Sequence, residues 1–214
     1  MAEILPVILA TRNPDKLREV RQILASLPIE IRSLEDFKDI PEIVEDGTSF
    51  EANAVKKALK VWEATGLTTL ADDSGLEVDP LGGQPGVLSA RFAGEHASYE
   101  ENNLKLLDML KHVPPEKRTA RFVCAAVLVT SKGKIVVQRG EIKGLIIDGP
   151  RGEGGFGYDP IFYVPRFKQT VAELDEDAKN SISHRAKAFQ ALRDFMVALC
   201  LRSPKLGTSG PAIA

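Results

Sequence analysis

The chain reads as a mixed α/β protein, and three observations predict this. Short apolar runs of strand type alternate with segments of helical period, two long strand-like segments stand close enough to form an antiparallel hairpin, and polar clusters sit at the ends of the apolar elements. Hydrophobic residues make up 43% of the 214 residues and charged residues 27%, a balance that supports a buried core rather than bulk disorder. No internal repeat and no domain linker is visible. A single domain over 1–202 is therefore expected, with a tail over 203–214 rich in Gly, Ser and Pro and expected to fray.

The elements follow in order. An apolar run over 5–10 predicts a buried strand. Thr11-Arg12-Asn13-Pro14 breaks it, and Leu17, Val20, Leu24 and Leu27 then recur at helical spacing. Asn13 suits an N-cap, Pro14 the first helical position and Asp15 the positive helix end. A second helix is expected over 49–64, with Phe50, Ala54, Ala58, Val61 and Trp62 on one face. A short strand over 68–71 should end at Asp72-Asp73-Ser74-Gly75, and 80–86 reads as loop. A helix over 102–110 precedes the hairpin, strands over 120–130 and 134–147 joined at Ser131-Lys132-Gly133. A glycine-dense loop over 149–157 leads to a short strand over 161–164. The last helix carries Ile182, Ala186, Phe189, Leu192 and Met196, with Ser181 as its expected N-cap.

Composition excludes several classes. A formal net charge of -2 provides no global field to attract nucleic acid, although local Lys and Arg can still bind small anions. Cys124 and Cys200 lie far apart in apolar runs and read as free thiols, with no zinc pattern around them. No apolar run approaches the ~20 residues of a membrane span. Met1-Ala2-Glu3-Ile4 lacks the basic and apolar regions of a signal peptide, so a cytoplasmic location is expected.

Four polar clusters are candidates for chemistry. Thr11-Arg12-Asn13-Pro14-Asp15-Lys16 joins a strand to a helix start, where backbone N–H groups and Lys16 suit an anion; it is equally a capped helix with an exposed lysine. Asp72-Asp73 follows a buried strand, where a carboxylate can ligate Mg²⁺ or take a proton from water; a turn rich in Asp, Ser and Gly is the alternative. Upstream, Glu42, Glu45 and Asp46 either complete a metal site or form a solvated acidic loop. In Gly152-Glu153-Gly154-Gly155-Phe156-Gly157-Tyr158-Asp159-Pro160, the glycines allow close approach to a flat ligand. Phe156 and Tyr158 suit stacking on a base, and Asp159 suits accepting hydrogen bonds from it. Lys179, His184 and Arg185 add cations near a helix start. Together these supply what a magnesium nucleotide requires. No GxxxxGK[ST] loop, Rossmann glycine fingerprint or GxSxG elbow accompanies them.

The segments Leu9-Ala10-Thr11-Arg12-Asn13-Pro14-Asp15-Lys16, Thr48-Ser49-Phe50-Glu51-Ala52-Asn53-Ala54, Ala71-Asp72-Asp73-Ser74-Gly75-Leu76, Leu81-Gly82-Gly83-Gln84-Pro85-Gly86, Ser89-Ala90-Arg91-Phe92-Ala93-Gly94, Gly154-Gly155-Phe156-Gly157-Tyr158-Asp159-Pro160-Ile161-Phe162 and Ser183-His184-Arg185 together resemble the Ham1/RdgB-like inosine triphosphate pyrophosphatase family, in that family's order. The resemblance implies an elongated mixed central sheet flanked by helices, two lobes with a cleft between them, and a homodimer. It implies Mg²⁺-dependent hydrolysis of ITP, dITP and XTP to the monophosphate and pyrophosphate. By the same resemblance, Thr11, Arg12, Asn13, Pro14, Asp15 and Lys16 meet the triphosphate. Asp73 is the catalytic acid and a metal ligand, joined by Glu45 or Glu42, and Ser74 lies in the substrate site. Phe156, Gly157, Tyr158, Asp159, Lys179, His184 and Arg185 bind the nucleotide. Arg12 departs from the small residue the family carries there, which alters the rim of the phosphate site.

Overall fold

A computed structural model describes residues 4–37, 40, 41 and 43–202. The expected tail over 203–214 and Glu42 lie outside the described residues. The backbone forms one seven-stranded mixed sheet in the order β2-β1-β3-β4-β5-β6-β7. The strands are β1 (Leu5–Leu9), β2 (Ile29–Ser33), β3 (Thr69–Val78), β4 (Thr119–Val129), β5 (Ile135–Ile146), β6 (Phe162–Val164) and β7 (Gln169–Thr170). The helices are α1 (Pro14–Ile23), α2 (Phe50–Thr65), α3 (Tyr99–Leu110), α4 (Glu176–Ile182) and α5 (His184–Arg202). Strand β1 runs parallel to β2 and β3, and the remaining neighbours pair antiparallel. The mixed sheet, the β4–β5 hairpin and the Asn13 cap all follow the sequence reading. Strands β2 and β7 were not anticipated.

Side chains alternate across the sheet, so the central strands β1, β3 and β4 feed two cores. On one face Val7, Leu9, Leu70, Cys124, Ala126 and Leu128 pack against Val20 of α1, its C-cap Leu24, and Phe189, Leu192 and Met196 of α5. On the other, Ile8, Ala10, Ala71, Val123, Ala125 and Val127 pack against Phe50, Ala54, Ala58 and Val61 of α2. A third cluster lies farther along, where Leu76, Val78, Phe122 and Ile146 meet Leu106 and Leu110 of α3 and the aromatic pair Tyr158 and Phe162.

Three boundaries correct the sequence reading. Strand β3 does not stop before the double acid. It pairs with β4 from Thr69↔Val129 through Val78↔Ala120, so the ladder carries the backbone straight through Asp72-Asp73-Ser74-Gly75 whatever their side chains prefer. The start of α3 moves upstream, because Ser98 and Glu101 form a reciprocal capping box. The last helix starts later, at His184, and an unexpected short helix, α4, precedes it. Asp175, not Ser181, caps α4, and Ser183 breaks the chain with extended backbone (φ −62, ψ 151). Ser183 Oγ then accepts the Ala186 amide at 3.0 Å in the first turn of α5.

The same topology opens the cleft. Strand β1 pairs with β3 only at Ile8↔Thr69 and Leu9↔Leu70, so β3 runs on past the end of its parallel neighbour. A cleft of about 350 Å³ lies beside that overhang. This is the usual place for a ligand in such sheets, outside the carboxyl end of a parallel strand.

Candidate active site

The overhang of β3 places two adjacent acids on opposite faces of the sheet: Asp73 lines the cleft, and Asp72 is buried on the other face. Asp73 points toward α2. Its Oδ2 accepts the Asn53 side-chain amide at 2.9 Å, and its Oδ1 accepts the Ser74 backbone amide at 2.9 Å. Lys57, one helical turn beyond Asn53, donates to Glu45 Oε1 at 2.7 Å. Burial pushes the Asp73 carboxyl above the usual carboxylate range; Lys57 and Lys16 pull it back, and the nearby Glu45 pushes it up again. Arg91 donates to the Glu45 carbonyl at 2.9 Å and so holds the acidic loop in place.

Asp72 points the other way and is 1% exposed. Its Oδ2 accepts from Ser74 Oγ at 2.7 Å and from Arg185 Nη2 at 3.2 Å, with Lys16 Nζ at 3.4 Å. Burial opposes its charge, but Lys16 and Arg185 overcome that and hold the carboxyl far below the usual range. Arg185 itself is 2% exposed and spans from Asp72 to Glu19 on α1. Glu19 also accepts Lys179 Nζ at 2.7 Å, and Lys179 donates to Asp159 Oδ2 at 2.8 Å. The result is a buried chain of alternating charge, Lys16–Asp72–Arg185–Glu19–Lys179–Asp159. Each member is expensive to bury alone and is compensated by its neighbours.

The glycine loop sits at the far end of that chain. Asp159 Oδ2 accepts the Phe156 amide at 2.9 Å. Gly155 (φ +72) packs so tightly on Asp159 that a Cβ there would lie 2.2 Å from Oδ2, so only glycine fits. The Phe156 ring has Lys179 Nζ 5.0 Å and Arg185 Cζ 5.7 Å from its centroid. Tyr158 differs from Phe156: it is buried in the third core, and its hydroxyl donates to the Ser89 carbonyl at 2.9 Å. That hydroxyl is committed to the fold. His184 stacks on Phe122 with centroids 4.9 Å apart. Burial and the neighbouring Arg185 push its imidazole well below the usual value, toward the neutral form.

Of the residues expected from the sequence, Thr11, Arg12, Asn13, Lys16, Glu45, Asp73, Ser74, Phe156, Gly157, Tyr158, Asp159, Lys179, His184 and Arg185 all line this cleft. Pro14 and Asp15 do not: Pro14 opens α1, and Asp15 pairs outward with Arg18 at 3.0 Å. The expectation that the helix start offers free backbone N–H groups is also corrected. Asn13 Oδ1 takes the amides of Asp15 and Lys16, Thr11 Oγ1 takes that of Asn13, and the Asn13 carbonyl takes that of Leu17. Arg12 donates to the Ile40 carbonyl at 2.8 Å and ties the phosphate-side loop to the acidic segment.

The sequence reading missed Glu19, Asn53, Lys57 and Arg91 as parts of this assembly. A signal existed for three of them. Glu19 beside Val20, and Asn53 and Lys57 beside Ala54 and Ala58, are polar residues at helical positions that face the core.

The comparisons with known proteins agree with this architecture. The Ham1 family profile matches residues 7–195, and the chain belongs to the Ham1 family. A dITP/XTP pyrophosphatase of Geobacter sulfurreducens is 54% identical over 190 residues, covering 89% of this chain and 96% of that protein. One from Lactiplantibacillus plantarum is 50% identical, covering 87% and 92%. Among solved structures, the Staphylococcus aureus Ham1 protein superposes with a TM-score of 0.81 at 38% identity, covering 91% of this chain and 99% of that one. No helix among the described residues is long and apolar enough to cross a membrane.

Proposed function

We propose that this protein hydrolyses non-standard purine nucleoside triphosphates, ITP, dITP and XTP, to the monophosphate and pyrophosphate. The observation that carries the reading is the pairing of a buried acid of raised proton affinity, Asp73, with cations at one end of its cleft and a glycine–aromatic loop at the other. Each Asp73 oxygen accepts one hydrogen bond from the protein and keeps a second lone pair. Asp73 thus serves as the base that orients and deprotonates the attacking water, and the bond between the α-phosphorus and the bridging oxygen breaks. Lys16 and Lys57 offset the triphosphate charge and stabilise the departing pyrophosphate, with Thr11, Arg12 and Asn13 on the rim.

The acid pair also suits a hard divalent cation. Glu45 and Asp73 line the same cleft, and carboxylate oxygens are the donors a hard cation takes. Mg²⁺ commonly takes one or two carboxylates and leaves its other positions to water and phosphate. Asp73 and Glu45 would hold it, and when bound it supplies charge neutralisation at the phosphates.

The purine belongs at the other end. Of the five guanidinium N–H groups of Arg185, Asp72, Ser74 and Glu19 engage four, which leaves one on Nη1. A single donor suits the C6 oxygen of hypoxanthine or xanthine and leaves the adenine amine without a partner. Phe156 offers its ring to the base, while Asp159 and Lys179 hold that loop. His184 stays neutral at the cleft wall. The protein is further proposed to act in the cytoplasm as a homodimer, each protomer a single two-lobed domain over 1–202; light scattering on the purified protein tests the assembly.

The experiment that tests the function is pyrophosphate release across ITP, dITP, XTP, GTP, ATP and dUTP in the presence of Mg²⁺. Fast release from the first three, with IMP and pyrophosphate as first products by phosphorus NMR, is expected. Orthophosphate as the first product, or a preference for dUTP, would sink the assignment.

A further inference from the structure

Tyr99 stands where neither the phosphate loop nor the base loop has a residue. It opens α3 and lines the cleft, yet it is 44% exposed. Its hydroxyl accepts the Asn13 side-chain amide at 3.4 Å, and its ring centroid lies 6.0 Å from that of Phe156, tilted by 42°. One side chain therefore touches the loop assigned to phosphate with its polar tip and the loop assigned to base with its ring. The segment of a nucleotide that lies between phosphate and base is the sugar.

The surroundings hold Tyr99 in that place. Ser98 and Glu101 close a capping box around the start of α3, with hydrogen bonds of 3.1 and 2.7 Å. Asn102 accepts the Ala93 amide at 2.7 Å and donates to the Ala90 carbonyl at 3.2 Å. Asn103 donates to the Gly157 carbonyl at 3.1 Å, which ties the same helical turn to the base loop. The bond to Asn13 does not compete with the helix cap, because the cap uses Asn13 Oδ1 and the bond uses Nδ2. A phenol that accepts one hydrogen bond still has its own O–H to donate. A half-exposed aromatic whose polar tip faces a cleft is a common way to contact a ligand that is apolar on one side and polar on the other.

We propose that Tyr99 is a sugar-contacting specificity residue: it closes the cleft mouth between Asn13 and Phe156 and donates its hydroxyl hydrogen to a sugar hydroxyl of the bound nucleoside triphosphate. The inference rests on the functional reading above and deepens it. A sugar contact carries no base information, so it acts equally on every purine triphosphate. It differs from the lysine contacts because it depends on the sugar hydroxyls.

The test compares wild type, Tyr99→Phe and Tyr99→Ala on ITP, dITP and the 3′-deoxy analogue of ITP. Tyr99→Phe keeps the ring and removes only the donor. For ITP its KM is expected to rise about fivefold with kcat within about twofold, the size of one lost neutral hydrogen bond. In wild type, deleting the contacted sugar hydroxyl should cost a similar factor, and in Tyr99→Phe that cost should vanish. Tyr99→Ala should raise KM further, because the ring contact is lost as well. Thermal denaturation of both variants reports whether α3 remains folded. Unchanged KM in Tyr99→Phe overturns the proposal. So does a raised KM with wild-type ratios among the three sugars, since the hydroxyl would then act through Asn13 alone. Failure of the functional reading is distinguishable, because wild type would then release no pyrophosphate from ITP and no ratio could be formed.

Discussion

Asp72 and Asp73 are neighbours in sequence and share one strand, yet the two faces of β3 make them different groups: Asp73 lines the cleft and Asp72 does not. On the α2 side, Asp73 meets neutral amides from Asn53 and Ser74, and the cation that acts on it most, Lys57, donates to Glu45. On the α5 side, Asp72 meets Lys16 and Arg185 directly. Both acids are buried, and burial alone raises both. The difference lies in the cations: Asp73 stays above the usual range and can take a proton, while Asp72 is locked in its charged form. On the function proposed above, environment rather than residue type assigns one to chemistry and the other to architecture.

The largest expected effect breaks the α2 side. Asp73→Asn should lower kcat by roughly 10²–10⁴-fold with the fold intact, the range for loss of a positioned base. The pH profile sharpens the point. The base must be deprotonated to act, so the acid limb of kcat/KM belongs to Asp73. Activity should climb with pH through that limb in wild type, and the limb should disappear in Asp73→Asn. An unchanged acid limb in the variant would assign the base elsewhere.

The next effect breaks the α5 side and is read as stability. Asp72→Asn removes the charge that Lys16 and Arg185 share, and should cost about 3 kcal/mol in urea unfolding at neutral pH, since breaking a buried pair strands its partners. The sign with pH follows from the direction of the shift. A carboxyl whose folded affinity for protons lies below its unfolded one stabilises the protein fully above about pH 4 and loses that contribution as pH falls toward the folded value. Wild type should therefore lose more stability than Asp72→Asn between neutral pH and pH about 3. Parallel curves for the two proteins would refute the role given to Asp72. A loss of kcat in Asp72→Asn as large as that in Asp73→Asn would erase the distinction between the faces.

That distinction is the part of the site hardest to read from sequence. The fold class, the Asn13 cap and the hairpin were legible because each rests on local signals: apolar period, a side-chain cap, a short polar turn. The two acids were visible, but as a turn, because Asp, Ser and Gly disfavour strands locally and only pairing with β4, distant in sequence, overrides them. Once the strand continues, period-2 alternation dictates that the acids diverge. The break at Ser183 was hidden for a similar reason, since the helical spacing from Ile182 to Met196, with Ser181 as its cap, gives no local sign of a separate helix upstream. Glu19 and Lys57 were overlooked because a charged residue on a helix is ordinarily a solvated one, which outweighed their core-facing positions; the fold buries them at 5% and 7% exposure.

The smallest expected effect concerns what each end of the cleft reads. Lys16 and Arg185 share Asp72 Oδ2, so the phosphate and base ends are electrostatically joined and the two roles need separating. Lys16→Ala should lower kcat/KM for all triphosphates alike and leave the ITP/ATP ratio within about twofold, because phosphate is common to both substrates. Arg185→Ala is a poor counterpart: it strands Asp72 and Glu19 in the core, and loss of folding would mask any change in specificity. Arg185→Lys keeps a charge near both carboxylates but lacks the planar fork, so it cannot hold three acceptors and still present a donor to the base. Its ITP/ATP ratio of kcat/KM should fall about tenfold, the scale of one misplaced hydrogen bond to a charged donor. Measuring both substrates with both variants closes the comparison. A ratio that moves with Lys16 and stays fixed with Arg185 would place the base at the α1 end and the triphosphate against Phe156, reversing the orientation of the nucleotide in the cleft.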